Sequence, residues 1–172
     1  MKRLMARGYA DRVYQLGPCF RNGGELADWH HPEFEMLEWY RAGISFDDFV
    51  SETEGLLLAT YSSLREELGG ALWEPPARWE RVTVKEAFVQ STGIELIDQD
   101  PDLGAKGCDA GIESSRKDDD FDTSFAKILM TRVEPWLSHL SGGKGAILLD
   151  YPASQAALAR VEGGVAKRFE FY

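Results

Sequence analysis

At 172 residues, with 44% hydrophobic and 12% aromatic side chains, the chain can bury a real core and reads as one domain or most of one. Its 19 Lys and Arg against 29 Asp and Glu give a formal charge of −10. That balance tilts against an extended phosphate-backbone surface such as a tRNA-binding face, although a whole-chain charge can hide a local basic patch. Cys19 and Cys108 lack paired spacing, Met1 is followed by no apolar leader, and no apolar run approaches bilayer length, so free thiols and a cytoplasmic location are expected.

In chain order, residues 2–8 read as the end of a helix stopped at Gly8. Extended apolar-rich runs near 12–20 and 33–41 are joined by a loop of Gly, Asn and Asp that is too long for a tight turn. Such long hairpin connections usually bind something. Ser45 reads as an N-cap with Asp47 and Asp48 in the first turn, and Phe46, Phe49, Val50, Leu57, Leu64 and Leu68 form an apolar stripe running to Gly69-Gly70. Trp73 to Trp79, with Pro75-Pro76, reads as a loop; Arg81 to Val84 as a short strand; Val84 to Thr92 as a short helix ending at Gly93. The acidic, apolar-poor stretch from Asp98 to Asp122 predicts loop or partial disorder. Asp122 or Thr123 then caps a helix through Phe125, Ile128, Leu129, Val133, Trp136 and Leu140. Ala146 to Tyr151 and Val165 to Tyr172 read as strands, the first of them buried. Strands broken by helices behind a long hairpin favour an α+β domain around an antiparallel sheet.

The hairpin carries the chemistry. Arg21, at its first foot, is a planar fork of donors suited to gripping a phosphate; the duller reading is a surface arginine paired with a nearby carboxylate. On the far strand Glu33, Glu35 and Glu38 lie beside Trp39 and Tyr40, a lining for a cationic or polar small molecule. Strand parity divides them: Glu33 and Glu35 share one face, Glu38 shares the other with Met36 and Tyr40, and only one face can line a pocket. Trp39 is expected to pack in the core on the opposite side from Tyr40.

Other motifs read as structure. His30 and His31 point to opposite sides with no further ligand at zinc spacing, which leaves a solvated loop pair and no metal site. Asp98 to Asp102 imitates the start of a calcium loop, but Leu103 stands where a glycine is required, so a solvated acidic loop is expected. Gly142-Gly143-Lys144-Gly145 is a turn and Ser154 starts a helix with Gln155.

Phe20-Arg21-Asn22, the loop, and His31-Pro32-Glu33-Phe34 resemble motif 2 of the class II aminoacyl-tRNA synthetases in its lysine-specific form, Phe-Arg-Asn…His-Asn-Pro-Glu-Phe. Met1-Lys2-Arg3-Leu4, Leu37-Glu38-Trp39-Tyr40-Arg41 and Pro152 to Arg160 resemble a narrower group, the elongation factor P–(R)-β-lysine ligase family. That family is a paralogue of lysyl-tRNA synthetase without the anticodon-binding domain. Ala166 to Tyr172 is similar to the strand that leads into the family's next segment, while roughly 72–145 matches only loosely.

The resemblance implies an incomplete class II synthetase-like domain over 1–172, an antiparallel sheet flanked by helices, with the motif 2 hairpin at 12–41 and the acidic loop at 98–122. It implies ATP-dependent activation of lysine or (R)-β-lysine as an adenylate, with Mg2+, and transfer to a lysine of elongation factor P. The alternatives are transfer to tRNA, as in lysyl-tRNA synthetase, and a non-catalytic module that binds nucleotide or a partner. A homodimer is implied for the complete protein. By residue, the resemblance assigns catalysis and the α-phosphate to Arg21, nucleotide binding to Arg21, Asn22, Gly23, Glu25 and His31, and the amino acid to Tyr40, with Glu38, two residues earlier on the same strand face, expected to join it. Two positions depart from the pattern. Gly23-Gly24-Glu25 replaces the family's adenine-contacting glutamate, so Glu25 takes over the contact or it passes to backbone groups. His31 stands where the family has asparagine, which makes that contact pH-dependent. Motif 1, the Ser-Pro-Glu loop, the late Gly-Ile-Glu-Leu-Ala-Asn-Gly run and the motif 3 arginine are expected outside this chain, which alone should show little or no pyrophosphate exchange.

Overall fold

Alternation of exposed and half-buried side chains marks where the first strands of the computed structural model lie; the structure describes residues 1–22, 31–67, 74–140 and 145–172. Two compact units divide the chain, residues 1–52 and 53–172.

In the first unit, helix α1 (Lys2–Ala6) ends at Arg7, and Gly8 turns the chain at φ +73°. Strands β1 (Arg12–Phe20) and β2 (Glu33–Arg41) pair antiparallel without a slip, from Arg12 opposite Arg41 to Phe20 opposite Glu33. The Arg21 N–H donates to the Pro32 carbonyl at 2.9 Å, extending the ladder to the foot of the loop. Helix α2 (Phe46–Leu64) begins as expected, the Ser45 hydroxyl accepting from the Asp48 N–H at 3.1 Å. The end of its predicted stripe, Leu68 to Gly70, falls outside the described residues, as do Trp73 and Gly142 to Lys144.

The second unit holds a sheet of order β3-β4-β6-β5, with β3 (Glu80–Thr83), β4 (Ala146–Pro152), β5 (Val161–Glu162) and β6 (Val165–Phe171). β4–β6 and β5–β6 are antiparallel as expected; β3–β4 is parallel, because the whole helical segment crosses over between them. That segment comprises α3 (Val84–Thr92), α4 (Leu103–Asp109), α5 (Phe121–Ile128), a π-helical turn (Leu129–Val133) and α6 (Glu134–Leu140). Phe88, Leu103, Ile128, Val133, Leu137 and Leu148 are fully buried between helices and sheet, and Phe88 stacks on Phe125 at 5.3 Å. Gly145, at φ +109°, leaves no room for a side chain: a Cβ there would meet the Trp79 ring at 2.5 Å.

Several expectations need correction. The acidic stretch from Asp98 to Asp122 is ordered and contains α4; Leu103 is fully buried and Ile112 nearly so. Gly104 and Gly107 allow this approach, since Cβ atoms there would strike the Arg116 carbonyl and the Ser115 hydroxyl. Asp100 is not solvated but 7% exposed, accepting from Lys106 Nζ at 2.6 Å and the Asp102 N–H at 3.0 Å. Asp120, not Asp122 or Thr123, caps α5, accepting from the Thr123 N–H at 2.8 Å. The following helix is interrupted by the π turn, after which Pro135, with no N–H to donate, follows Glu134. Ser154 begins no α-helix; it lies in a 3-10 turn (Ala153–Gln155), its hydroxyl donating to Asp98 at 2.5 Å.

Candidate functional site

Partners across an antiparallel ladder share a face, so the register fixes what lies together on the hairpin. Cys19 opposes Phe34, Gly17 opposes Met36, Gln15 opposes Glu38 and Val13 opposes Tyr40. All but Gln15 are half-buried, whereas Glu33, Glu35 and Leu37 point outward and are exposed. Glu38 and Tyr40 therefore lie on one face and Glu33 and Glu35 on the other, as strand parity predicts.

On that face the Tyr40 hydroxyl donates to Glu38 Oε1 at 3.2 Å. Burial, reinforced by the Glu38 carboxylate, pushes the Tyr40 phenol above its ordinary value, which keeps it a neutral donor. A carboxylate held beside an aromatic ring is a natural receptor for an ammonium group. One is already present: Lys2 Nζ, from α1, lies 5.5 Å from the Tyr40 ring centroid.

Toward the loop, Arg21 continues the same alternation, and its guanidinium lies 5.9 Å from the Phe34 ring centroid. Among the described residues Arg21 makes no ion pair, so the pairing with a nearby carboxylate weighed above is not found there. Arg21, Asn22 and His31 are exposed at the loop end of the hairpin; Gly23, Glu25 and His30 lie outside the described residues. Phe34, beneath Arg21, is separated from Glu38 by about 13 Å of strand, a span suited to an extended ligand gripped at both ends. Trp39 turns the other way and packs on Phe49, centroids 5.9 Å apart. Among the described residues no group of three or more His, Cys, Asp or Glu is placed to hold a metal, so they do not by themselves form a cage for Mg2+.

The second unit contains a polar cluster that sequence reasoning missed. A bulge at Asp150, φ +55°, shifts the β4 register so that Tyr151 falls opposite Ala166, on the face that also carries Arg168 and Glu170. The Arg168 guanidinium lies 4.4 Å from the Tyr151 ring centroid, donates to the Gln155 carbonyl at 3.0 Å and pairs with Glu170. The Tyr172 hydroxyl donates to Glu170 Oε2 at 2.8 Å and lies 3.5 Å from that of Tyr151. Burial pushes both phenols well above their usual range, and burial with the Glu170 charge raises the Glu134 carboxyl. The alternation Arg168, Glu170, Tyr172 was the available signal.

The architecture is that of a class II aminoacyl-tRNA synthetase core. An aspartyl tRNA synthetase from Entamoeba histolytica matches 99% of this chain and 34% of its own, at TM-score 0.64 and 16% identity. The Entamoeba histolytica asparaginyl-tRNA synthetase in complex with asparaginyl-adenylate matches 93% of this chain and 34% of its own, at 0.55 and 15%. Such low identities speak for the fold alone. The profile of the class II tRNA synthetases (D, K and N) matches residues 1–163, and the chain belongs to that family. It is also similar, at 34% identity over 177 positions, to the elongation factor P–(R)-β-lysine ligase of Vibrio cholerae serotype O1, and at 35% to that of Pseudoalteromonas translucida. Both alignments take in 100% of this chain and 49% of the relative, so the chain spans about half the length of the curated relatives it matches.

Proposed function

We propose that the chain carries the motif 2 part of a ligase that activates lysine or (R)-β-lysine with ATP and transfers it to a lysine of elongation factor P. The observation that carries this reading is the Tyr40–Glu38 pair on the same hairpin face as Arg21. In the activation step a carboxylate oxygen of the amino acid bonds to the α-phosphorus as the bond to pyrophosphate breaks, giving an acyl adenylate. Negative charge builds on the α-phosphate oxygens, and Arg21 offers donors against it; no covalent residue is required. Glu38 and Tyr40 hold the amine end, with the phenol oriented by the carboxylate. In the second step the acceptor amine attacks the acyl carbon, AMP departs and the amine proton passes to solvent. The resemblance would give the nucleotide contacts to Asn22, Gly23, Glu25 and His31 as well as Arg21. Mg2+ would neutralise the ATP phosphates during activation.

The names of the Vibrio and Pseudoalteromonas relatives support this acceptor, and a net charge of −10 suits a protein acceptor better than a polyanion. Transfer to tRNA is the competing reading, favoured by the synthetase family match. The work would take place in the cytoplasm, with a homodimer as the functional form of the complete protein. Pyrophosphate exchange and transfer assays on the complete protein, with lysine against (R)-β-lysine and with elongation factor P or tRNA as acceptor, separate the readings. Aminoacylated tRNA with unmodified elongation factor P overturns the ligase reading.

A further inference from the structure

The hairpin face already accommodates a cation of its own. Lys2 sits on α1, before β1, and its ammonium lies 5.5 Å from the centroid of the Tyr40 ring, whose hydroxyl is donated to Glu38. A single ring face beside a single carboxylate serves one ammonium well; a second brought to the same place meets like-charge repulsion. We propose that Lys2 is an internal competitor for the amine end of the site: it covers Tyr40 in the free chain and swings away when a lysine-like amine docks. This rests on the assignment of Glu38 and Tyr40 to the amine made above.

The chemistry of the side chain fits such a role. Lysine carries a compact ammonium on a flexible stem, so it can leave the ring by rotation about its own bonds with no change in the backbone. Lys2 is exposed, which gives the displaced ammonium water to enter. An exposed cation–aromatic contact is weak, so an incoming ligand that gains both ring and carboxylate outcompetes it. The competitor lowers affinity about two- to fivefold, the size of that contact. A ligand without the amine has no reason to displace Lys2, so the device also sharpens selection for cationic substrates.

The test uses the full chain with free L-lysine as probe and norleucine, which lacks the side-chain amine, as control. In wild type the Lys2 ε-methylene NMR signal is shifted by the Tyr40 ring current, and Tyr40→Leu abolishes the shift. Saturating L-lysine relaxes it; norleucine does not. By calorimetry Lys2→Gln binds L-lysine about two- to fivefold more tightly than wild type, while Lys2→Arg, which keeps a cation, stays close to wild type. If L-lysine binds, Glu38→Gln weakens it and Lys2→Gln leaves affinity unchanged or lower, the competitor role is overturned and the amine-site reading stands. If no variant binds L-lysine, the amine-site reading fails and takes this inference with it.

Discussion

The hairpin of residues 12–41 and the sheet-and-helix unit of residues 53–172 put apolar side chains to opposite uses. On the hairpin's outer face Tyr14, Leu16 and Phe20 are 78%, 63% and 73% exposed, whereas in the second unit Phe88, Ile128, Leu137 and Leu148 are 0% exposed. The first unit offers functional groups at a surface and the second holds a packed interior. The contrast follows from pairing: a two-stranded ladder buries little by itself, while a four-stranded sheet under helices can exclude water.

Truncating each region tests this contrast most directly. Phe88→Ala should cost about 3–5 kcal/mol, because a fully buried ring stacked on Phe125 leaves a cavity. Leu16→Ala on the hairpin should stay within about 0.5 kcal/mol. Urea denaturation measures both, and equal losses would break the comparison. Arg21→Ala should sharpen it from the other side. If Arg21 grips the nucleotide as proposed, losing its charge-assisted bonds should weaken ATP binding about 10- to 100-fold, while the unfolding midpoint barely moves. Unchanged ATP affinity by calorimetry removes Arg21 from the phosphate.

A smaller effect tests the second unit through pH. The Lys106 ammonium, above all, holds the Asp100 carboxyl below its ordinary range, against the opposing effect of burial. A carboxyl that titrates lower in the folded state stabilises the fold above its unfolded pKa, about 3.9, and that contribution disappears as pH falls through the folded value. Asp100→Asn should therefore cost about 1–2 kcal/mol near neutrality and progressively less below about pH 4. Denaturation at several pH values reads the difference directly; a gap that widens in acid contradicts the assignment.

Which parts could be read in advance follows from the same physics. Strands β1 and β2 were legible because extended apolar-rich runs near 12–20 and 33–41 flank a loop rich in turn-forming residues, and the Glu38–Tyr40 contact follows from their i, i+2 spacing. Helix α4 was not, because seven residues containing two glycines show no apolar stripe, and their burial depends on close approach to distant backbone. β5, two residues long, carries no pattern at all. The Tyr151 cluster was hidden by the left-handed conformation of Asp150, which changes the face of everything after it and is unexpected for a non-glycine residue. Lys2 over Tyr40 joins positions far apart in sequence, and no local pattern announces such a contact.

The smallest test applies one chemical change to both regions. Ser45 caps α2 in the first unit, and Thr83 caps α3 in the second, where Glu86 returns the bond to the Thr83 N–H at 2.9 Å. Removing either hydroxyl frees a helix N–H, worth about 1 kcal/mol locally. The two losses should not reach global stability equally. Helix α3 carries Val84, Ala87 and Phe88 into the core, so it cannot fray without opening that core, and Thr83→Ala should show its full cost in urea. The residues at the start of α2, Asp47 and Asp48, are exposed and can unwind locally, so Ser45→Ala should show less than half as much. Hydrogen exchange should locate the remainder in the Asp48 amide, which the Ser45 hydroxyl protects. If Ser45→Ala proves as costly as Thr83→Ala, the first turn of α2 is as tightly coupled to global unfolding as the core.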